Sequence, residues 1–212
     1  MKCVLNILKA FLINFCFIGI IFANASCPSI SPKMAKDSPS HQVEAIIDDV
    51  ICSFIDLHSA NNSTFSNSLN LTKKKIIPYI DLEYATELAL GDYWKQLDLR
   101  GRKIFERDVK KSLIQDYTPY LVNYPGWEKI NISVNQNFTQ DGNFAKVKLL
   151  ISFENDNSTS TVTLKLIRSD SWKIFDLDFQ SISLLDIFLL GYDSQIKRNG
   201  LENLLQIMLK RT

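Results

Sequence analysis

Histidine is nearly absent from this chain. His41 and His58 are the only two, and they fall on one predicted helix about five turns apart, so they cannot share a site unaided. Cysteine is scarce as well: Cys3, Cys16, Cys27 and Cys52 are all there are. Two of them leave with an N-terminal leader, and two cysteines with two distant histidines make a poor metal-ligand set. The chain holds 7 glycines, with no Gly-rich phosphate loop and no nucleophile elbow among them. An excess of one charge is missing too. The formal net charge is +1, and losing Lys2 and Lys9 with the leader brings the remainder close to neutral, which excludes a general attraction to nucleic acid. No apolar run reaches a comfortable membrane span. The longest, from Phe11 to Phe22, is short and broken by Asn14. There is no internal repeat and no low-complexity linker.

What is present begins with that short run. Lys2 and Lys9 give it a positive start, and Ala23-Asn24-Ala25 matches the small-x-small rule of signal peptidase. Residues 1–25 therefore read as a signal peptide cut after Ala25. Residues 26–40 carry Pro28, Pro32 and Pro39 among Ser and Lys and read as an irregular arm. Residues 41–212 are enough for a single domain with a sizeable core. In an oxidising compartment Cys27 and Cys52 can bridge, tying the new N-terminus to the first helix. Cys27 has a rival role as a lipidated N-terminal residue, although Asn24-Ala25-Ser26 lacks the usual aliphatic residue.

The periodicity then divides the chain in three. Val43, Ile46, Ile47, Val50, Ile51, Phe54 and Ile55 recur at three- and four-residue steps, predicting a helix over 41–59. A weaker helix follows over 65–76 and stops at Pro78. Asp81 is a good N-cap for a helix ending at Leu90, with Gly91 beyond it. The longest helix is predicted over 98–117, with a kink or stop at Pro119. From 128 the period changes to two. Ile130, Ile132 and Val134 open a four-stranded antiparallel meander, with turns at 140–143, 155–158 and 169–171. Its last strand opens the stretch from Ser171 to Leu184, whose end carries a Ser that can cap the helix that follows. Ile182 to Ile196 and Leu201 to Leu209 are helical again. Helices, then an antiparallel sheet, then helices, predict an α+β fold with helices over one sheet face.

Few residues carry chemistry. Asp176 and Asp178 share a period and could serve acid–base work, but Phe175, Leu177 and Phe179 occupy the alternate positions, which points both carboxylates to solvent. Lys73-Lys74-Lys75 reads as a solvated helix face, or as a contact for anionic headgroups or an acidic partner. Aromatic residues cluster instead: Tyr79, Tyr84, Tyr93, Trp94, Phe105, Tyr117 and Tyr120 all fall in the middle helical block. Each reads singly as core, and together some of them could line a cavity between helices and sheet.

Several short stretches resemble one family. Pro78-Tyr79-Ile80-Asp81 and Leu90-Gly91-Asp92-Tyr93-Trp94 resemble the Pro-Tyr/Phe-x-Asp and Leu-Gly-x-x-Trp signatures of the MlaC, or toluene-tolerance, family of periplasmic phospholipid-binding proteins. Trp172-Lys173-Ile174-Phe175-Asp176 resembles its Trp-Lys-Val-Tyr-Asp, and Ile182-Ser183-Leu184 its Val-Ser-Leu. Asn199-Gly200-Leu201 with Leu204-Leu205 resembles its tail. The likeness runs from about 43 to 210 in one order. Ser181 stands where the family usually has Gly, Pro119 interrupts the long helix, and Ile187-Phe188-Leu189 replaces a more polar stretch.

The resemblance implies a periplasmic, non-enzymatic carrier, with no cofactor and phospholipid as its cargo, that acts as a monomer between an outer-membrane lipoprotein complex and an inner-membrane ABC transporter, maintaining outer-membrane lipid asymmetry. It implies an apolar cavity between sheet and helices. The expected lining is Tyr84, Leu88, Phe105, Val109, Leu113, Val147, Leu149, Ile151, Phe153, Leu164, Leu166 and Ile174. Two other readings stand beside it: a small cone-shaped α+β enzyme using a buried Asp as base, and an assembly module with a packed core and no ligand.

Overall fold

Caps and turns set the frame. In a computed structural model that describes residues 38–122, 127–153 and 156–210, six α-helices and one antiparallel sheet are present among the described residues. The predicted signal peptide, most of the arm and Cys27 lie outside them. Helix α1 (Pro39–Ser59) starts two residues earlier than expected, with Pro39 in the first turn, where its missing N–H has no helical partner to lose. Helix α2 (Phe65–Lys75) is capped by Thr64, and a 3₁₀ turn (Ile77–Tyr79) follows it. Asp81 caps helix α3 (Leu82–Leu90), accepting from the Tyr84 N–H at 3.1 Å. Gly91 ends that helix at φ +55°, a left-handed conformation that favours glycine.

Helix α4 (Leu99–Val122) runs through Pro119 to Val122, beyond the stop expected near Tyr117. The last turn is held from outside: the Trp127 indole donates to the Leu121 carbonyl at 3.0 Å, and Thr118 is fully buried. Helices α5 (Leu184–Asn199) and α6 (Leu201–Lys210) close the chain.

The sheet has six strands rather than the four expected. They are β1 (Ile130–Val134), β2 (Thr139–Asp141), β3 (Phe144–Phe153), β4 (Asp156–Arg168), β5 (Trp172–Phe179) and β6 (Ile182–Ser183). The spatial order is β1-β3-β4-β5-β6, with β2 also paired to β3. The two additions have local causes. What read as one strand before the Gly142 turn is interrupted at 135–138, and its two pieces pair separately with β3. At the other end, Gln180 and Ser181 both adopt positive φ, folding β6 back on β5 in a two-residue turn.

Two cores result. The first joins Val43 of α1 to the sheet face made by Ala145, Val147, Leu149, Leu164, Leu166 and Trp172. Buried Gln42 fixes the helix there. Its amide donates to the Trp172 carbonyl and accepts from the Trp172 N–H, acting as a strand neighbour for that residue. The second core is helical and gathers Ala85, Ala89, Leu90, Trp94, Ile104, Phe105, Val109, Leu185, Tyr192, Leu204 and Met208 from α3 to α6. Strand β5 lies between the cores: Asp81 N–H donates to the Ile174 carbonyl at 2.8 Å, and Ile80 bridges Ile174 in parallel.

Candidate functional site

The seam between the two cores is not filled. A cavity of about 190 Å³ lies where α2, the Ile77–Ile80 turn, α3, α4, α5 and β5 converge. Helix α2 supplies Thr72, Ile76 follows it as its C-cap, and the turn gives Ile77 and Ile80. Helix α4 supplies Val109, Leu113, Tyr117 and Leu121, a stripe at four-residue steps on one helix face. Strand β5 gives Ile174, Phe175 and Leu177, and α5 gives Leu184, Leu185 and Phe188. Tyr117 is 39 % exposed, so that end of the lining reaches solvent.

The lining offers almost no polar chemistry. Thr72 spends its hydroxyl proton on the Ser68 carbonyl at 2.9 Å. Asp176 is the only charged residue in it among the described residues, and three protein donors hold it. Contrary to the expectation that it faces solvent, Asp176 is buried. Its Oδ1 accepts from the Leu185 N–H at 3.1 Å, and its Oδ2 from the Ser183 hydroxyl at 2.7 Å and the Lys165 ammonium at 2.8 Å. The cause of the mismatch is a β-bulge. Lys165 pairs with Asp176 and Leu166 with Ile174, so Phe175 is an extra residue and the alternation changes phase there. Lys165 also pairs with Asp178 at 3.0 Å. Burial lowers the Lys165 pKa, but hydrogen bonds to Asp176 and Asp178 outweigh it and hold the ammonium above its ordinary range. Ser183 caps α5 through the Asp186 N–H at 3.2 Å. The cluster thus fixes the start of a helix that walls the cavity, using a carboxylate where the helix dipole favours one.

Of the twelve residues expected to line a cavity, Val109, Leu113 and Ile174 do so. Phe105 belongs to the helical core, edge-on to Tyr192 at 5.3 Å. Tyr84 sits beside the site, edge-on to Phe175 at 5.1 Å. Leu88 is 38 % exposed and lies outside this lining. Val147, Leu149, Leu164 and Leu166 are buried in the other core, against α1. Ile151 and Phe153 pair across to Ile132 and Ile130. Alternation placed the sheet residues on one face correctly, but it carries no information on which helix covers that face. Among the seven clustered aromatics only Tyr117 lines the cavity. Ile77, just before the Pro78–Asp81 motif, Ile80 inside it, and Phe175 and Leu184, inside two further motifs, were the legible signals that pattern reading missed.

The remaining candidates are dispersed. His41 is exposed, and His58 stands 3.5 Å from the Ser63 hydroxyl. No group of three or more metal-ligating side chains occurs among the described residues. Cys52 is disulfide-bonded, and its partner lies outside the described residues.

Fold and site together define a class: α+β proteins with an internal apolar pocket walled by helices and one strand. The chain belongs to the MlaC family, whose model, described as "MlaC protein", matches residues 44–210. A relative from Haemophilus influenzae, the "Intermembrane phospholipid transport system binding protein MlaC", is 25% identical over 156 residues, covering 70% of this chain and 72% of that one. A solved structure of the phospholipid-binding protein from Ralstonia solanacearum, in complex with a phospholipid, has the same fold. The TM-score is 0.69 at 20% identity, over 82% of this chain and 97% of that chain.

Proposed function

We propose that this protein is a periplasmic phospholipid carrier, shuttling lipid between an outer-membrane complex and an inner-membrane ABC transporter. The observation that carries the reading is the cavity: an apolar lining in a protein whose relatives are named for phospholipid binding and transport. Acyl chains need apolar walls and no charged clamp, and each methylene removed from water contributes about 0.8 kcal/mol. An engineered apolar cavity of about 150 Å³ holds benzene. By that measure 190 Å³ accommodates a chain segment of roughly eight carbons, a gross gain of about 6 kcal/mol. By the same measure two full tails of roughly sixteen carbons each need on the order of 800 Å³. Loading therefore moves the walls apart, and the helices rather than the hydrogen-bonded sheet are the part that yields.

The same lining supports a protein without catalysis. A general base must be presented to substrate, whereas Asp176 is buried and three protein donors, the Lys165 ammonium among them, already hold it as a carboxylate. The carrier reading is tested by adding a phospholipid with a fluorescent acyl chain to delipidated protein. Saturable binding, competed by unlabelled phospholipid, is the expected result. Fluorescence that rises linearly without saturation would exclude the cavity as its site.

A further inference from the structure

Helices α2 and α4 lie side by side, linked by the Thr118 and Thr72 hydroxyls at 3.4 Å. One flank of the pair walls the cavity. The adjoining flank forms an open groove of about 380 Å³ with Lys73 on α2 and Arg107, Lys110 and Lys111 on α4, over a floor of Leu69 and Ile114. No acidic residue lines this groove among the described residues. Lys73, Arg107 and Lys110 have no carboxylate within ion-pair distance among the described residues, although other surface cations do: Lys95 pairs with Asp92, Lys103 with Glu106, and Lys197 with Asp193. Lys75, the last of the basic run, turns away to buried Asp49 at 2.7 Å. The chain as a whole carries a net charge of only +1, so four cations in one groove are a local concentration and not a consequence of composition.

We infer that this groove is a docking surface for the anionic headgroups of a phospholipid bilayer. Long lysines can lay their methylenes along the Leu69–Ile114 floor and keep their ammonium groups at phosphate level. A fluid lipid surface asks only for charge density, which a groove without acidic specificity partners supplies. The placement also serves the site. A helix is about 10 Å across, so a bilayer held at this flank lies about one helix diameter from the cavity wall. The choice of a lipid surface over another polyanion rests on the carrier reading.

The test is vesicle flotation with the mature full-length chain. One vesicle population contains phosphatidylglycerol and phosphatidylcholine at about 1:2, and the other is phosphatidylcholine alone. The protein floats with the anionic vesicles and not with the neutral ones, and binding weakens between about 50 and about 300 mM salt. Each cation near such a surface is worth about fivefold in partitioning. Lys73→Gln with Lys110→Gln therefore lowers partitioning about 25-fold. Lys146→Gln with Lys148→Gln, exposed on the outward side of β3, removes the same charge and changes it less than about threefold. Circular dichroism and melting confirm that both variants fold. Absence of wild-type binding to anionic vesicles overturns the proposal, as does equal loss in the two variants. Poly-glutamate that competes as well as the vesicles at equal charge assigns the groove to an acidic protein partner and overturns it too. A protein that docks but holds no lipid fails the carrier reading alone. One that holds lipid but ignores the vesicles fails this proposal alone.

Discussion

Replacing Asp176 tests whether the buried carboxylate is architecture or catalyst. Asp176→Ala deletes an acceptor for three donors: the Ser183 hydroxyl, the Leu185 N–H and the Lys165 ammonium. Removing one partner of a buried ion pair usually costs about 3–5 kcal/mol because the other charge is stranded. Here Lys165 keeps Asp178 at 3.0 Å, and its side chain is 23% exposed, so the cost falls at the low end, about 3 kcal/mol. Asp176→Asn keeps the shape and an acceptor for the Leu185 N–H. It gives up the acceptor shared by the Ser183 hydroxyl and the Lys165 ammonium, but Lys165 keeps Asp178, so the cost is about 1–2 kcal/mol. For a domain of this size each kcal/mol moves the melting temperature by about 2–4 °C, so Ala lowers it by about 6–12 °C and Asn by about 2–8 °C. The assay is urea and thermal unfolding of both variants beside the wild type, with lipid content measured on each. A loss below about 1 kcal/mol for Ala, or equal losses for the two variants, would refute the network's role in seating α5. Undiminished lipid content in Asp176→Asn is the expected companion result.

Three further outcomes follow from the same geometry. Ala85→Leu directs a larger side chain from α3 into the cavity; phospholipid per protein falls at least about threefold, while stability changes by less than about 1.5 kcal/mol. Stability declines at alkaline pH with a definite sign. Lys165 is raised above 10.5 and Tyr192, buried and bonded to Asp108, is raised above 10.0, so the folded state holds protons that the unfolded chain releases. Their contribution is complete below about pH 10 and is lost as pH rises through the folded values. Urea titrations across that range check it, and Tyr192→Phe flattens the decline. Peptide mapping without reductant is expected to show Cys52 joined to Cys27, and reduction to lower stability by about 3 kcal/mol.

Local chemistry was the legible part of this sequence. Asp81 and Gly91 mark the two ends of α3 because capping needs only one side chain or one left-handed residue. Alternation located β3 and β4 because their pairing is regular over most of its length. What failed was non-local or depended on a single inserted residue. The bulge at Phe175 turned Asp176 from an expected surface carboxylate into the anchor of α5. Pro119 suggested the end of α4, but Trp127 secures a further turn from across the fold. The sheet face was read correctly, yet α1 covers it through Gln42 and Val43. The cavity consequently lies at β5, its lining, Ile77, Ile80, Phe175 and Phe188 included, brought together only where six elements meet.

The most direct test of the account is denaturing extraction and mass spectrometry of the mature protein, purified without detergent. The account predicts phospholipid near one molecule per chain. A well-folded monomer that yields no lipid, and that also refuses added phospholipid, would contradict it.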